Sequence, residues 1–305
     1  MLAFAFAWSL GAHYTGACMG MPYALGAVSA RTALVLMAPL ALAGAALASG
    51  KVATTVGTKL IDARPTRLGE VVVVAVAFAV TALYNRIRIP TSTIQILVGA
   101  LAGTAVGASV GVHWRPIATL AAIWLAAPPA AAALGFAGGR ALGSVPRVGA
   151  GLVIVGCLAS FAMGANDVAL ASGALVGPHV LGAHAAGALC GLGIALGVLL
   201  SGRGLLDRVA FDIVEVERVT ATTGQLVQAL VILVAVSFGY FTSMNQALVG
   251  AMAGAGRARG RHTVRTRTLV DIVRGWAAGP PTSFALALVA ALVVRSIAGT
   301  DALAR

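Results

Sequence analysis

Residues 91–100 read TSTIQILVGA, and residues 242–251, about half a chain later, read TSMNQALVGA. Seven of the ten positions are identical. Other pairs recur in the same order: Gly11-Ala12 with Gly164-Ala165, Ser49-Gly50-Lys51 with Ser201-Gly202-Arg203, and Trp124 before Pro128-Pro129 with Trp276 before Pro280-Pro281. A period close to half of the length indicates two copies of one structural unit. We place the copies at residues 1–145 and 146–305.

The composition indicates that both copies lie in a membrane. Hydrophobic residues make up 59% of the 305 residues, charged residues 10%, and the mean hydropathy is +0.96. Soluble domains carry about 25% charged residues, so this chain has too few of them to cover a water-facing surface. We predict an all-α, polytopic protein of the cell membrane, because the apolar runs are too long and too even for barrel strands. About ten segments approach the length of a spanning helix: 2–20, 32–49, 68–84, 90–112, 116–138, 148–177, 180–200, 219–238, 242–256 and 275–298.

Basic residues are distributed unevenly between the copies. One loop of the second copy is rich in basic residues, whereas the corresponding segment of the first copy, 106–116, holds only His113 and Arg115. The basic residues of the second-copy loop are Arg257, Arg259, Arg261, His262, Arg265 and Arg267. Basic loops face the cytoplasm, so the contrast predicts two inverted repeats with broken helices or re-entrant hairpins. Nucleic-acid binding is the alternative for the basic loop, but the sequence has no such motif, and we expect no nucleic-acid partner.

Asp167 is the carboxylate that lies deepest within an apolar run. Polar groups are costly to insert into a membrane and mark functional sites. Gly164, Asn166 and Asp167 together predict an interruption of the helix. The freed carbonyls and the two side chains would supply the oxygen ligands of a hard cation. The alternative is that Asp167 pairs with a neighbouring helix for packing alone.

The repeated segments carry hydroxyl groups at predicted helix starts. Pro90 suits a first helical turn, and Ser92 or Thr93 can cap it. The second copy offers similar donors: Thr242, Ser243 and Asn245. Free N–H groups and the positive end of a helix dipole bind anions, so two such helix starts meeting at mid-membrane would form a cradle for a small oxyanion. Alternatively, the hydroxyls only hydrogen-bond across tightly packed helices.

Three segments resemble the inorganic phosphate transporter (PiT) family. Residues 164–171, GANDVALA, look like its GANDVANA-type signature. Residues 90–100, PTSTIQILVGA, resemble its PVSTTH-x-x-VGA element, as does the copy at 241–251. Residues 50–60, GKVATTVGTKL, are similar to the segment that follows its second helix. The resemblance implies an inverted-repeat bundle that takes up phosphate with a cation, and members of the wider family carry sulfate.

The resemblance also implies roles for individual residues. Asn166 and Asp167 match the pair that is associated with the coupling cation, and Ser92, Thr93 and Ser243 match positions that contact phosphate. Gln95 and Gln246 stand at the histidine position of the motif, and with Thr242 and Asn245 they complete our candidate substrate set.

The first copy departs from the family pattern, because His13-Tyr14 replaces its Asn-Asp. Since histidine titrates near neutrality, His13 and Tyr14 could carry a proton, or they could simply hydrogen-bond within the bundle.

The sequence therefore predicts a secondary active transporter that takes up inorganic phosphate with Na⁺ or H⁺ by alternating access. The alternatives are a permease for sulfate or another oxyanion with the same fold, and a channel or sensor without coupling. We expect no enzyme and no cofactor other than the coupling ion, because the sequence has no nucleophile–base spacing, metal-ligand cluster or P-loop. Membrane lipid and a second copy of the chain are the remaining candidate partners.

Overall fold

The computed structural model describes residues 1–62, 66–86, 91–145, 147–176, 179–204, 206–207, 216–260, 266–299 and 302–303. Extended pairing within these residues is limited to one isolated bridge between Ile61 and Val112. The all-α prediction is confirmed. Pro90 and, in the basic loop, Arg261, His262 and Arg265 lie outside the described residues.

Each half of the chain contributes a similar series of helices. The first half forms α1 (Leu2–His13), α2 (Thr15–Ala24), α3 (Ala30–Ala48), α4 (Gly50–Thr58), α5 (Arg67–Arg86), α6 (Thr93–Gly107) and α7 (Trp114–Leu142). The second half begins with a 3-10 turn at Val148–Gly151 and forms α8 (Leu152–Val176), α9 (Ala183–Ser201), α10 (Arg218–Ser237), α11 (Met244–Ala258) and α12 (Thr266–Ala298).

Seven of the described helices are long and apolar enough to cross a membrane: α3, α5, α7, α8, α9, α10 and α12. The protein is therefore a multi-pass membrane protein. The expected segment 2–20 is divided between α1 and α2 at Tyr14. α6 and α11 have 15 residues each, which at about 1.5 Å per residue is shorter than a hydrocarbon core of about 30 Å. They fit the re-entrant segments that the sequence predicts.

Helices of each half pack against helices of the other half, and the contacts are equivalent in both directions. α6 of the first half packs along α12 of the second, and α11 packs along α7; likewise α1 packs on α9, and α8 on α3. Glycines permit this close approach: a Cβ on Gly99 would press on the carbonyl oxygen of Pro280, and one on Gly250 would clash with that of Pro128. The repeated tryptophan-to-proline and VGA segments thus recur together because they contact each other across the halves.

Candidate anion and cation site

The starts of α6 and α11 have the same local structure. Ser92 and Ser243 have extended backbones, and their hydroxyl oxygens accept from the backbone N–H groups of Gln95 and Gln246, each at 3.5 Å. This capping agrees with the sequence expectation for both copies. The remaining N–H groups of each first turn have no partner within their own helix, so both starts offer donors and a positive dipole end.

Both helix starts are buried, although they are rich in polar groups. The buried side chains are Thr91, Ser92, Thr93, Gln95, Thr242, Ser243 and Gln246. Gln95 and Gln246 line one cavity of about 480 Å³, so the first turns of α6 and α11 approach each other. The structure thereby brings the two halves of the predicted cradle to one place. Asn245 is only half-buried, and its side chain makes no hydrogen bond to another described residue.

Asn166 joins the centre of α8 to the segment that precedes α11. Its Oδ1 accepts from the Thr242 backbone N–H at 3.1 Å, and its Nδ2 donates to the Thr242 carbonyl at 2.9 Å. Nδ2 also donates to Asp167 Oδ2 at 3.1 Å. The two backbone bonds hold one hairpin start in register with the neighbouring carboxylate.

Asp167 is fully buried, and its Oδ1 has no hydrogen-bond partner among the described residues. A carboxylate oxygen without a partner in an apolar interior is costly, and a bound cation or proton would satisfy it. No cluster of three or more His, Cys, Asp or Glu side chains occurs in the described part of the chain. Asp167 is thus the carboxylate that fits a hard cation at this site.

The predicted interruption near Gly164, Asn166 and Asp167 is wrong. α8 is helical throughout Leu152–Val176, and Asn166 bonds Asp167 and the Thr242 backbone without any unwinding of the helix. The interruption lies in the first copy, at Tyr14 (φ −94°, ψ 3°), between α1 and α2. It is local, since Tyr14 N–H still donates to Leu10 O and Tyr14 O still accepts from Cys18 N–H, both at 3.1 Å.

Tyr14 connects the first hairpin to this carboxylate. Its hydroxyl shares a hydrogen bond of 2.7 Å with Thr93 Oγ1, and the phenol also faces Asp167. His13 makes an edge contact with the Tyr14 ring at a centroid distance of 5.0 Å. The contacts thus run from Thr93 through Tyr14 and Asp167 to Asn166 and Thr242, from one hairpin start to the other.

Two buried glutamines near the site escaped the sequence reasoning. Gln225 of α10 donates to Cys18 O at 2.7 Å, and Gln228 donates to Met244 O in the first turn of α11 at 3.3 Å. Trp124 Nε1 donates to Phe241 O at 3.0 Å and so holds the segment that precedes α11. Glu70 of α5 lines a small cavity with Leu170 of α8, one turn from Asp167. The two glutamines could have been found by the rule that singled out Asp167, since they interrupt the apolar segment 219–238.

Comparison with known proteins gives the family. The model of the Phosphate transporter family (PHO4) matches residues 10–145 and again 144–287. The sulfate permease CysP of Bacillus subtilis is 26% identical over 297 residues, which cover 92% of this chain and 83% of that protein. A probable low-affinity inorganic phosphate transporter of Mycobacterium leprae is 27% identical over 97% of this chain and 77% of its own length.

Other matches are partial or concern the fold alone. A putative phosphate permease of Chlamydia muridarum is 31% identical over 48% of this chain, and the match spans only 36% of that relative. A solved structure described as the sodium-dependent phosphate transporter superposes with a TM-score of 0.88 at 21% identity, covering 97% of this chain and 98% of that one. Family and fold are those of transporters and not of enzymes. The resemblance seen in the sequence is confirmed, and the chain belongs to the phosphate transporter family.

Proposed function

We propose that this protein takes up inorganic phosphate together with a cation, Na⁺ or H⁺, by alternating access around the buried site between α6, α8 and α11. The observation that carries the proposal is the double hydrogen bond of Asn166 to the Thr242 backbone, next to Asp167. It puts a candidate cation ligand in direct connection with a candidate oxyanion-binding loop. Membership of the phosphate transporter family supports phosphate as the substrate.

Neutral donors form the oxyanion side of the site. The capped starts of α6 and α11 offer backbone N–H groups and the hydroxyls of Ser92, Thr93, Thr242 and Ser243. Gln95, Gln246 and Asn245 complete the proposed set with side-chain amides. Such donors bind an oxyanion through hydrogen bonds and helix dipoles, and they leave its charge to be balanced by another ion.

A cation is needed to concentrate the anion. Moving a charge against the membrane potential costs roughly 2.3 kcal/mol per 100 mV, so a divalent phosphate ion costs roughly 4.6 kcal/mol at that potential. Each co-transported monovalent cation offsets roughly 2.3 kcal/mol of this cost. The stoichiometry of cation binding therefore determines how far phosphate can be concentrated.

Asp167 is the proposed ligand of the cation. Its Oδ1 has no hydrogen-bond partner in the described part of the chain, whereas Asn166 Oδ1 accepts from the Thr242 N–H group. In this conformation Asn166 therefore positions the loop, and it would reach the cation when that hydrogen bond opens. His13 and Tyr14 replace the Asn-Asp pair of the first copy, so we propose fewer Na⁺ ions per cycle, with protons as the alternative coupling ion.

Sulfate is the second candidate substrate, because the chain aligns over 92% of its length with a sulfate permease. Both ions are tetrahedral and would accept from the same hydroxyls and helix starts. A second copy of the chain and ordered lipid stay predicted partners.

Uptake of labelled phosphate and sulfate into proteoliposomes tests the proposal, with Na⁺ and H⁺ gradients imposed separately. We expect phosphate to accumulate with one of the two gradients and Asp167→Asn to abolish this accumulation. Asp207→Asn is the matched control, because Asp207 lies outside the site and forms an ion pair with Arg203, with 3.9 Å between Oδ2 and Nε. This substitution should leave uptake unchanged. Phosphate flux that is independent of both gradients would indicate a channel, and binding without flux would indicate a sensor. Accumulation of sulfate but not of phosphate would indicate a sulfate permease.

A further inference from the structure

Tyr14 stands between the two candidate ion-binding groups. Its hydroxyl is 2.7 Å from Thr93 Oγ1, on the oxyanion side, and its phenol faces Asp167, on the cation side. Tyr14 and Thr93 are 1% and 2% exposed, so bulk water does not compete for these bonds. Asp167 Oδ2 accepts from Asn166 Nδ2, whereas Oδ1 has no hydrogen-bond partner among the residues that the structure describes. Oδ1 can therefore attract a hydrogen or a cation.

Two hydroxyls in series have two possible arrangements of their hydrogens. A hydroxyl donates one hydrogen bond, and either atom of the Tyr14–Thr93 pair can be the donor. When Tyr14 donates to Thr93, the Thr93 hydrogen is free for another acceptor. When Tyr14 turns its hydrogen toward Asp167, it accepts from Thr93, and the Thr93 hydrogen is used. A deprotonated oxyanion oxygen only accepts, so it binds better to the first arrangement.

We propose that the Tyr14 hydroxyl is a positioning group that couples cation binding at Asp167 to oxyanion binding at Thr93. A bare, negative Asp167 attracts the Tyr14 hydrogen and thereby ties up the Thr93 hydroxyl. A cation on Asp167 cancels that attraction, Tyr14 turns to donate to Thr93, and Thr93 donates to the oxyanion. No bond other than hydrogen bonds forms or breaks, and each hydroxyl keeps its proton.

This relay rests on the proposed function, since it takes Thr93 and Asp167 as ligands of the two ions. The relay gives a role to Tyr14, which stands where the family pattern has an aspartate. In place of a second cation ligand, the first copy carries a neutral hydroxyl that responds to the charge state of Asp167. Coupling is reciprocal, so a bound oxyanion must also strengthen cation binding. Asn166 and Thr242 form a separate connection to the second hairpin, which the Tyr14→Phe substitution leaves in place.

The test is the KM for phosphate as a function of the driving cation, with Na⁺ varied at fixed pH or H⁺ at fixed Na⁺. In the wild type, KM should fall at least about fivefold from limiting to saturating cation, the lower end of typical coupling between sites. In Tyr14→Phe this dependence should shrink below about twofold, less than typical coupling between sites. Tyr84→Phe is the matched control, because its hydroxyl bonds Thr282 Oγ1 at 3.1 Å across another pair of helices, and the dependence should persist there.

A second variant guards against a Tyr14→Phe protein that does not fold. Thr93→Val removes the other end of the relay and should also make KM insensitive to the cation, at a raised value. A cation dependence that persists in a folded Tyr14→Phe or Thr93→Val protein overturns the relay and leaves the proposed function standing. Absence of cation-driven uptake in the wild type would instead overturn the proposed function.

Discussion

Replacing Asn166 by leucine tests the link between α8 and the second hairpin. Leucine has a similar size and no hydrogen-bonding group, so the substitution removes both bonds to the Thr242 backbone, at 2.9 and 3.1 Å. Thr242 N–H and C=O would then be buried without these partners. Each such group costs about 1–3 kcal/mol, so we expect a loss of about 2–6 kcal/mol in the free energy of unfolding.

The measurement is chemical unfolding of the purified protein, followed by tryptophan fluorescence. Trp124 reports on the right place, because its Nε1 donates to Phe241 O, next to Thr242. Asn245→Leu is the matched control: the same change in the same hairpin, at a half-buried asparagine whose side chain makes no hydrogen bond to another described residue. It should change the free energy by no more than about 0.5 kcal/mol.

The comparison between the two variants decides the matter. Equal free energies of unfolding for Asn166→Leu and Asn245→Leu would refute the reasoning, because the Asn166 bonds would then contribute nothing to the fold. If Asn166→Leu lies below the threshold of folding, Asn166→Ser restores part of the hydrogen-bonding capacity and should recover a measurable transition. Cation-driven phosphate uptake in that variant should fall with its stability, because the loop next to Asp167 is less firmly held.

Two further perturbations test the packing and the pH dependence. Gly44→Ala should destabilise the protein by about 1–3 kcal/mol, since its Cβ would clash with Phe161 O of α8. Gly204→Ala, at an exposed position where a Cβ meets nothing within 4 Å, should not destabilise it. Equal unfolding curves would contradict this account of the α3–α8 contact. The Lys59 carbonyl and the Asp62 carboxylate raise the pKa of His113 above its usual 6.5, so the stabilisation by this loop contact is complete below about pH 6.5 and is lost as pH rises through the raised value. The melting temperature of the wild type should therefore fall relative to His113→Gln between about pH 6.5 and the raised pKa, and parallel melting profiles would exclude a contribution from this contact.

Sequence reasoning named Tyr14 and Asp167 on different grounds. Asp167 was singled out as a polar group within an apolar segment, and Tyr14 because it stands where the resembled family carries an aspartate. Both are buried. The caps of Ser92 and Ser243 were also predictable, because each is a contact between residues three positions apart. The position of the helix interruption was not, since α8 stays continuous through Asn166 and the interruption falls at Tyr14. The position of the interruption depends on contacts of Asn166 and Tyr14 with residues that are distant in the chain, and the neighbouring sequence does not reveal those contacts.

By itself, the sequence determined the membrane class, the two copies and the two capped helix starts. Composition and periodicity depend only on which residues are present and in what order, and a cap depends on residues within one turn. The tertiary structure decided how these parts meet. Tyr14 reaches Thr93 across 79 positions and Asn166 reaches Thr242 across 76. Each contact lies within one half of the chain and depends on tertiary packing, which local sequence does not reveal. The repeated TS-x-x-Q-x-LVGA segment thus indicates a duplicated hairpin. Its connection to the Asp167 carboxylate depends on the packing of distant segments and cannot be read from the repeat.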